Sequence, residues 1–216
     1  MVNIIKLENV NKDFKKQKVL NNISLNLNSG KIYGFIGRNG TGKSVLFKII
    51  CGLIIPTSGT VEVNGKVLKN GEFAENIGIL LDDTGFLPRM SAFDNLKTIA
   101  VIRDIITDER IKECISIVGL NPESKQHVGK YSLGMKQRLG IAQAIMEKPK
   151  VLLLDEPMNG LDELGVKEIR TLLKEYCNNN EATILIASHN KDDIEELCDE
   201  CYLLKDGCVE KIEECI

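Results

Sequence analysis

Gly37-Arg38-Asn39-Gly40-Thr41-Gly42-Lys43-Ser44 combines glycines, a lysine and a hydroxyl in the order G-x-x-x-x-G-K-[ST]. Glycines let successive backbone N–H groups converge on an anion, a lysine ammonium reaches the β- and γ-phosphates of a nucleotide, and a serine hydroxyl ligates Mg²⁺. Before this loop, Lys31-Ile32-Tyr33-Gly34-Phe35-Ile36 reads as a buried strand; behind it, Val45-Leu46-Phe47-Lys48-Ile49-Ile50 has helical apolar spacing. A phosphate held there would also meet the positive end of the helix dipole. The context makes Gly37–Ser44 a Walker A loop, with Arg38, Asn39, Gly40, Thr41, Gly42, Lys43 and Ser44 as candidate nucleotide-binding residues. A second chemical stretch, Val151-Leu152-Leu153-Leu154-Asp155-Glu156, has the form of a buried parallel strand whose tip carries two carboxylates into a site.

The elements around these stretches follow from local pattern. Ile4 to Val10 and Val19 to Leu27 alternate apolar and polar residues, the period of a half-solvated antiparallel sheet, with Phe14 in a polar turn between them. Thr60-Val61-Glu62-Val63 continues that sheet into a hairpin at Asn64-Gly65. Ile77-Gly78-Ile79-Leu80-Leu81 reads as a buried strand ending in the polar loop Asp82-Asp83-Thr84-Gly85. From Ser91 to about Leu120 the spacing turns helical and a second helix begins at Asp108; Ser132 then caps a long helix running to Met146. A helix from Glu163 to Cys177, a strand from Thr183 to Ala187, Ser188-His189, a helix from Lys191 to Cys198 and a hairpin turning at Asp206-Gly207 complete an alternating α/β order.

The 216 residues carry a formal charge of −3, so the basic stripe that nucleic-acid binding needs is missing and no nucleic-acid partner is expected. No signal pattern or apolar run of membrane-spanning length appears, which leads to the expectation of a cytoplasmic protein. The 7 cysteines read as reduced thiols. A zinc site built from Cys198, Cys201, Cys208 and Cys215 is the weaker reading, since Cys198 and Cys201 lie in a helix-patterned stretch beside apolar Leu197 and Tyr202.

Taken as a set, these stretches resemble the ATP-binding subunits of ABC (ATP-binding cassette) transporters over essentially the whole chain. Gly37 to Ser44 matches the Walker A, and Ser132-Leu133-Gly134-Met135-Lys136-Gln137 matches the family signature, usually L-S-G-G-Q, with Tyr131 before it. Val151 to Glu156 matches the Walker B, Asn159-Gly160-Leu161-Asp162 the D-loop, and His189 the switch histidine. The resemblance implies a single domain over residues 1–216: an α/β, RecA-like P-loop NTPase core with an N-terminal antiparallel β-subdomain, and a helical insert at about 88–147 carrying the signature. The form S-L-G-M-K-Q-R-L-G-I-A is similar to transporters of bacitracin and lantibiotic resistance or self-immunity, which implies an exporter.

Roles follow from the resemblance and from the chemistry of each group. Ser44 and Asp155 would hold Mg²⁺, Glu156 would act as general base on the attacking water, and His189 would contact the γ-phosphate of ATP. Ser132 and the backbone of Gly134 would cap the γ-phosphate bound by the other subunit of a head-to-tail homodimer, and Phe14 would stack on adenine. Asp82 stands where most of the family has a glutamine; as an acceptor-only carboxylate it would favour the metal. The loop Asp82–Met90 would receive a polytopic membrane permease, placing the chain peripherally at the inner face of the membrane. The alternative is a soluble ABC ATPase in a non-transport role. Against it, the span between Ser44 and Ser132 is too short for the coiled coil of repair and chromosome members, and the second cassette usual in translation members is missing.

Overall fold

The computed structural model describes residues 3–15, 17–81 and 85–213. Strands β1 (Asn3–Phe14) and β2 (Gln17–Asn28) form a long antiparallel hairpin, extended by β4 (Ser58–Val63) and β5 (Lys66–Val67) in the order β2-β1-β4-β5. Asn9 and Asn22 interrupt the alternation with φ of +49° and +51°, beside the register shifts between β1 and β2. Asparagine tolerates that left-handed conformation, so the hairpin bends without a glycine.

Strands β3 (Ile32–Ile36), β6 (Ile77–Leu80), β7 (Val151–Asp155), β8 (Thr183–Ser188), β9 (Glu200–Lys205) and β10 (Cys208–Ile212) build a second sheet in the order β10-β9-β3-β8-β7-β6. All its pairings are parallel except β9 with β10. Every residue of β3, β7 and β8 is buried, as a sheet covered on both faces requires. Alternate side chains divide between two cores. Tyr33, Phe35, Val151, Leu153 and Leu185 meet the antiparallel sheet and helix α1 (Lys43–Ile50), with Phe35 stacked on Tyr202 and edge-on to Phe47. Ile32, Leu152, Leu154, Ile184 and Ile186 face the helices on the other side.

Those helices are α2 (Ala92–Arg103), α3 (Asp108–Ile117), α4 (Leu133–Ile145), α5 (Glu163–Asn180) and α6 (Lys191–Leu197), with a short 3₁₀ turn at Val128–Lys130. The expected Ser132 cap forms, and Ser91, Thr107 and Asp162 likewise each accept a backbone N–H of the first turn of their helices. Helix α4 belongs to the insert in sequence and to the core in space, because it packs against α3 and also against β6 and β7. At β6 the approach is close enough that a Cβ on Gly78 would lie 2.0 Å from the carbonyl oxygen of Ala144.

The expectation of reduced thiols holds for Cys51, Cys114, Cys177, Cys198 and Cys208 and fails at Cys201, which is disulfide-bonded. Burial raises the Cys114 and Cys177 thiols to about 11 and the Cys198 thiol to about 12, which leaves them protonated and unreactive.

Candidate nucleotide site

The loop between β3 and α1 turns because its residues can do what its geometry demands. Thr41 closes the turn by donating from its backbone N and from Oγ1 to Arg38 O, at 3.3 and 2.9 Å. Gly37 lies so close to β9 that a Cβ would come within 2.6 Å of Leu204 O. Gly42 is the N-cap of α1 at φ +106°, and no side chain among the described residues caps that helix. A helix begun this way leaves its first N–H groups available to an anion. Lys43 is 6% exposed; its Nζ donates to Gly37 O at 2.6 Å and to Arg38 O at 3.4 Å, which holds the ammonium inside the curve of the loop.

The loop opens into a cleft of about 530 Å³. Asn39, Gly40, Gly42, Lys43 and Ser44 of the loop and helix start line it, together with Asp155, Glu156, Asn159 and His189 and with Phe14 and Val19 of the β1–β2 hairpin. Asp155 is the last residue of β7, paired in register with Ala187 of β8, and is 4% exposed. Ser44 and Asp155 thus supply a hydroxyl and a carboxylate to the same cleft, hard oxygen donors of the kind Mg²⁺ selects.

Glu156 is constrained in both backbone and side chain. Its φ is +49°, a left-handed conformation that costs a residue with a Cβ about 1–2 kcal/mol. Its backbone N donates to Ala187 O at 2.8 Å, and its backbone carbonyl accepts from Gln137 Nε2 at 2.8 Å. The side chain is held as well: His189 Nδ1 lies 2.9 Å from Oε1, and Ser188 Oγ donates to Oε2 at 3.3 Å. A carboxylate only accepts, so Nδ1 of His189 carries the proton in this pair. The turn after β7 therefore aims one carboxylate into the cleft and fixes it at both ends.

Most of the residues singled out in the sequence meet here: Phe14, Asn39, Gly40, Gly42, Lys43, Ser44, Asp155, Glu156 and His189 line one cleft. Arg38 and Thr41 shape the loop and do not line the cleft. Ser132 and Gly134 also lie away from it. Ser132 is exposed at the start of α4, and Gly134 is buried where a Cβ would come within 2.5 Å of Gly160 O. Phe14 is 44% exposed, with Lys12 Nζ 4.9 Å from its ring centroid. Asp82 lies outside the described residues. The sequence reading passed over Val19, Ser188 and Gln137. Ser188 stood beside His189 and Gln137 within the signature, whereas Val19 carried no signal beyond its strand.

The sequence matches the family model described as ABC transporter over residues 20–159. Among characterised and uncharacterised relatives, it is 44% identical to the uncharacterised ABC transporter ATP-binding protein YybJ of Bacillus subtilis over 99% of this chain and 98% of that one. It is 43% identical to the bacitracin transport ATP-binding protein BcrA of Bacillus licheniformis, over 96% of this chain and 68% of the relative. The lantibiotic transport ATP-binding protein SrtF of Streptococcus pyogenes is 36% identical over 94% and 88%. In structure, the chain superposes on cbiO1 of Clostridium perfringens, part of the ABC transporter complex cbiONQ, with a TM-score of 0.84 at 31% identity over 97% and 88% of the two chains. It also superposes on the dimeric ATP-binding cassette MJ0796 bound to ADP and Pi, with a TM-score of 0.89 at 26% identity over 98% and 99%. The Walker loop, the paired acids at the tip of β7 and these likenesses along its length agree: the chain belongs to the ABC transporter family, as an ATP-binding subunit that hydrolyses ATP.

Proposed function

We propose that this chain supplies ATP hydrolysis to an exporter of antimicrobial peptides or peptide antibiotics, bound to a polytopic permease at the inner face of the membrane and working as a dimer. The likeness to BcrA and SrtF supports the cargo class, and the dimeric cassettes support the pairing. The observation that carries the hydrolytic reading is the Glu156 carboxylate, fixed by Ser188 and His189 in the cleft that Lys43 also lines.

In this reading Lys43 and the N–H groups at the start of α1 bind the β- and γ-phosphates, and Phe14 carries the adenine. Mg²⁺, when bound, neutralises charge on the phosphate oxygens; Ser44 and Asp155 are the residues that would hold it. Glu156 orients a water and takes its proton as the water oxygen attacks the γ-phosphate, with ADP leaving on the far side. His189 contacts the γ-phosphate and steadies Glu156. Ser132 and Gly134 serve the site of the opposite subunit.

The test is ATPase activity with the permease in vesicles. A peptide antibiotic is expected to stimulate turnover, and Glu156→Gln to cut turnover about 10²–10⁴-fold while ATP still binds. Near-normal turnover in Glu156→Gln would remove the glutamate from its role. Stimulation by no bacitracin- or lantibiotic-type peptide would overturn the cargo class alone.

A further inference from the structure

One hydrogen bond to Glu156 comes from outside both the sheet and its own turn. Ala187 and Ser188, which hold its N–H and one carboxylate oxygen, both belong to β8, and His189 follows that strand directly. The Glu156 carbonyl accepts two bonds: from Asn159 N at 3.1 Å, which closes the local turn, and from Gln137 Nε2 at 2.8 Å, which comes from α4. The carbonyl lies on the opposite side of the Glu156 α-carbon from the N–H tied to Ala187, so these bonds together hold the peptide planes on each side of a residue at φ +49°. Without the shorter of the carbonyl's two bonds, only the turn's own Asn159 bond resists rotation of that peptide toward the ordinary right-handed region, and the carboxylate moves with any such rotation.

The same helix end is tied to the following loop. Ser132 Oγ accepts from Met135 N, and Lys136 N donates to Ser132 O, which starts α4 rigidly; one turn on, Gln137 reaches Glu156. Gly134 sits against Gly160, and Leu133 packs so closely over Gly160 that a Cβ there would lie 2.6 Å from Leu133 Cγ. The start of α4 and the segment from Glu156 to Gly160 therefore touch at both ends of that segment. A shift of the Ser132 end that moved Gln137 would move the Glu156 carbonyl.

We infer that Gln137 is a positioning residue for the hydrolytic carboxylate, holding Glu156 in its left-handed conformation and coupling its aim to the placement of α4. The inference rests on the reading of Glu156 as the hydrolytic residue. It assigns Gln137 no contact with ATP, and Gln137 does not line the cleft.

The experiment compares steady-state ATP hydrolysis, ATP affinity and thermal midpoint in the full chain for four variants. Gln137→Met matches the length of the side chain and removes the donor. Gln137→Glu keeps the shape and sets an acceptor against the carbonyl. Gln137→Lys restores a donor of comparable reach, and Glu156→Gln tests the underlying reading. Gln137→Met is expected to lower kcat about 10- to 10²-fold with KM and ATP affinity within about twofold of the parent, Gln137→Glu to lower it at least as far, and Gln137→Lys to recover most of it. A kcat within about twofold of the parent in both donor-less variants overturns the inference. So does a fall in kcat that tracks loss of thermal midpoint or of ATP affinity and is not recovered by Gln137→Lys, which would mark Gln137 as only structural. If Glu156→Gln itself turns over normally, the reading of Glu156 fails; if Glu156→Gln is inactive while Gln137→Met is normal, only the positioning inference fails.

Discussion

Lys43 illustrates how a single side chain can be prepared for a ligand before the ligand arrives. It is a buried cation whose hydrogen bonds go to two backbone carbonyls of its own loop, and the phosphates it would serve lie in the cleft it lines. A charge held there is costly without a polyanion to answer it, and in the proposed function the outer phosphates would supply that polyanion. Lys43→Ala is expected to weaken ATP binding about 10- to 10³-fold and turnover with it, because the contact acts in the ground state as well as in the transition state. Titration with a fluorescent ATP analogue checks this, and unchanged affinity would place the ammonium elsewhere than on the phosphates. Glu156 is the contrasting case, a side chain whose loss should spare binding and remove turnover.

Helix α4 carries two tasks along its length. Its start presents Ser132 and anchors Glu156 through Gln137, and its end packs on the edge strand β6 where Gly78 admits the Ala144 carbonyl. The obstruction at Gly78 is backbone, which cannot swing aside as a flexible side chain does. Gly78→Val is therefore expected to destabilise the fold by about 1–3 kcal/mol, read as a lowered urea midpoint. A midpoint equal to the parent's would mean that β6 moves freely away from α4. The antiparallel hairpin has a different relation to the site: Phe14, the last residue of β1, and Val19, near the start of β2, line the cleft, while the strands themselves pack along the core.

A single chain holds every group of the site except the signature end, since Ser132 and Gly134 lie outside the cleft that contains the Walker residues. If two copies meet head to tail, each cleft is completed by the other's α4. Mixing a Ser132→Arg chain with a Lys43→Ala chain is then expected to restore one intact cleft per mixed dimer, with a maximum near equal proportions at roughly one quarter of the parent rate, half the dimers being mixed and one of their two sites working. ATPase activity measured against mixing ratio decides it. A straight line between two inactive parents would show that each cleft works with its own Ser132.

The sequence by itself determined the parts whose chemistry is contiguous: the Walker loop between a strand and a helix, two acids ending an apolar strand, the Ser132 cap, and the alternation of element types. These are legible because a turn, a cap and a strand period are set by neighbours within a few residues. Only the tertiary structure decided how Glu156 is held, with φ +49° and partners Ala187, Ser188, His189 and Gln137 drawn from elsewhere in the chain. It also decided that Val19 reaches the cleft and that Cys201 departs from the other thiols. Such contacts depend on the register of parallel strands, Asp155 beside Ala187, and on where α4 crosses the sheet. Register and crossing are set by packing summed over both cores, and no local pattern of residues encodes that sum.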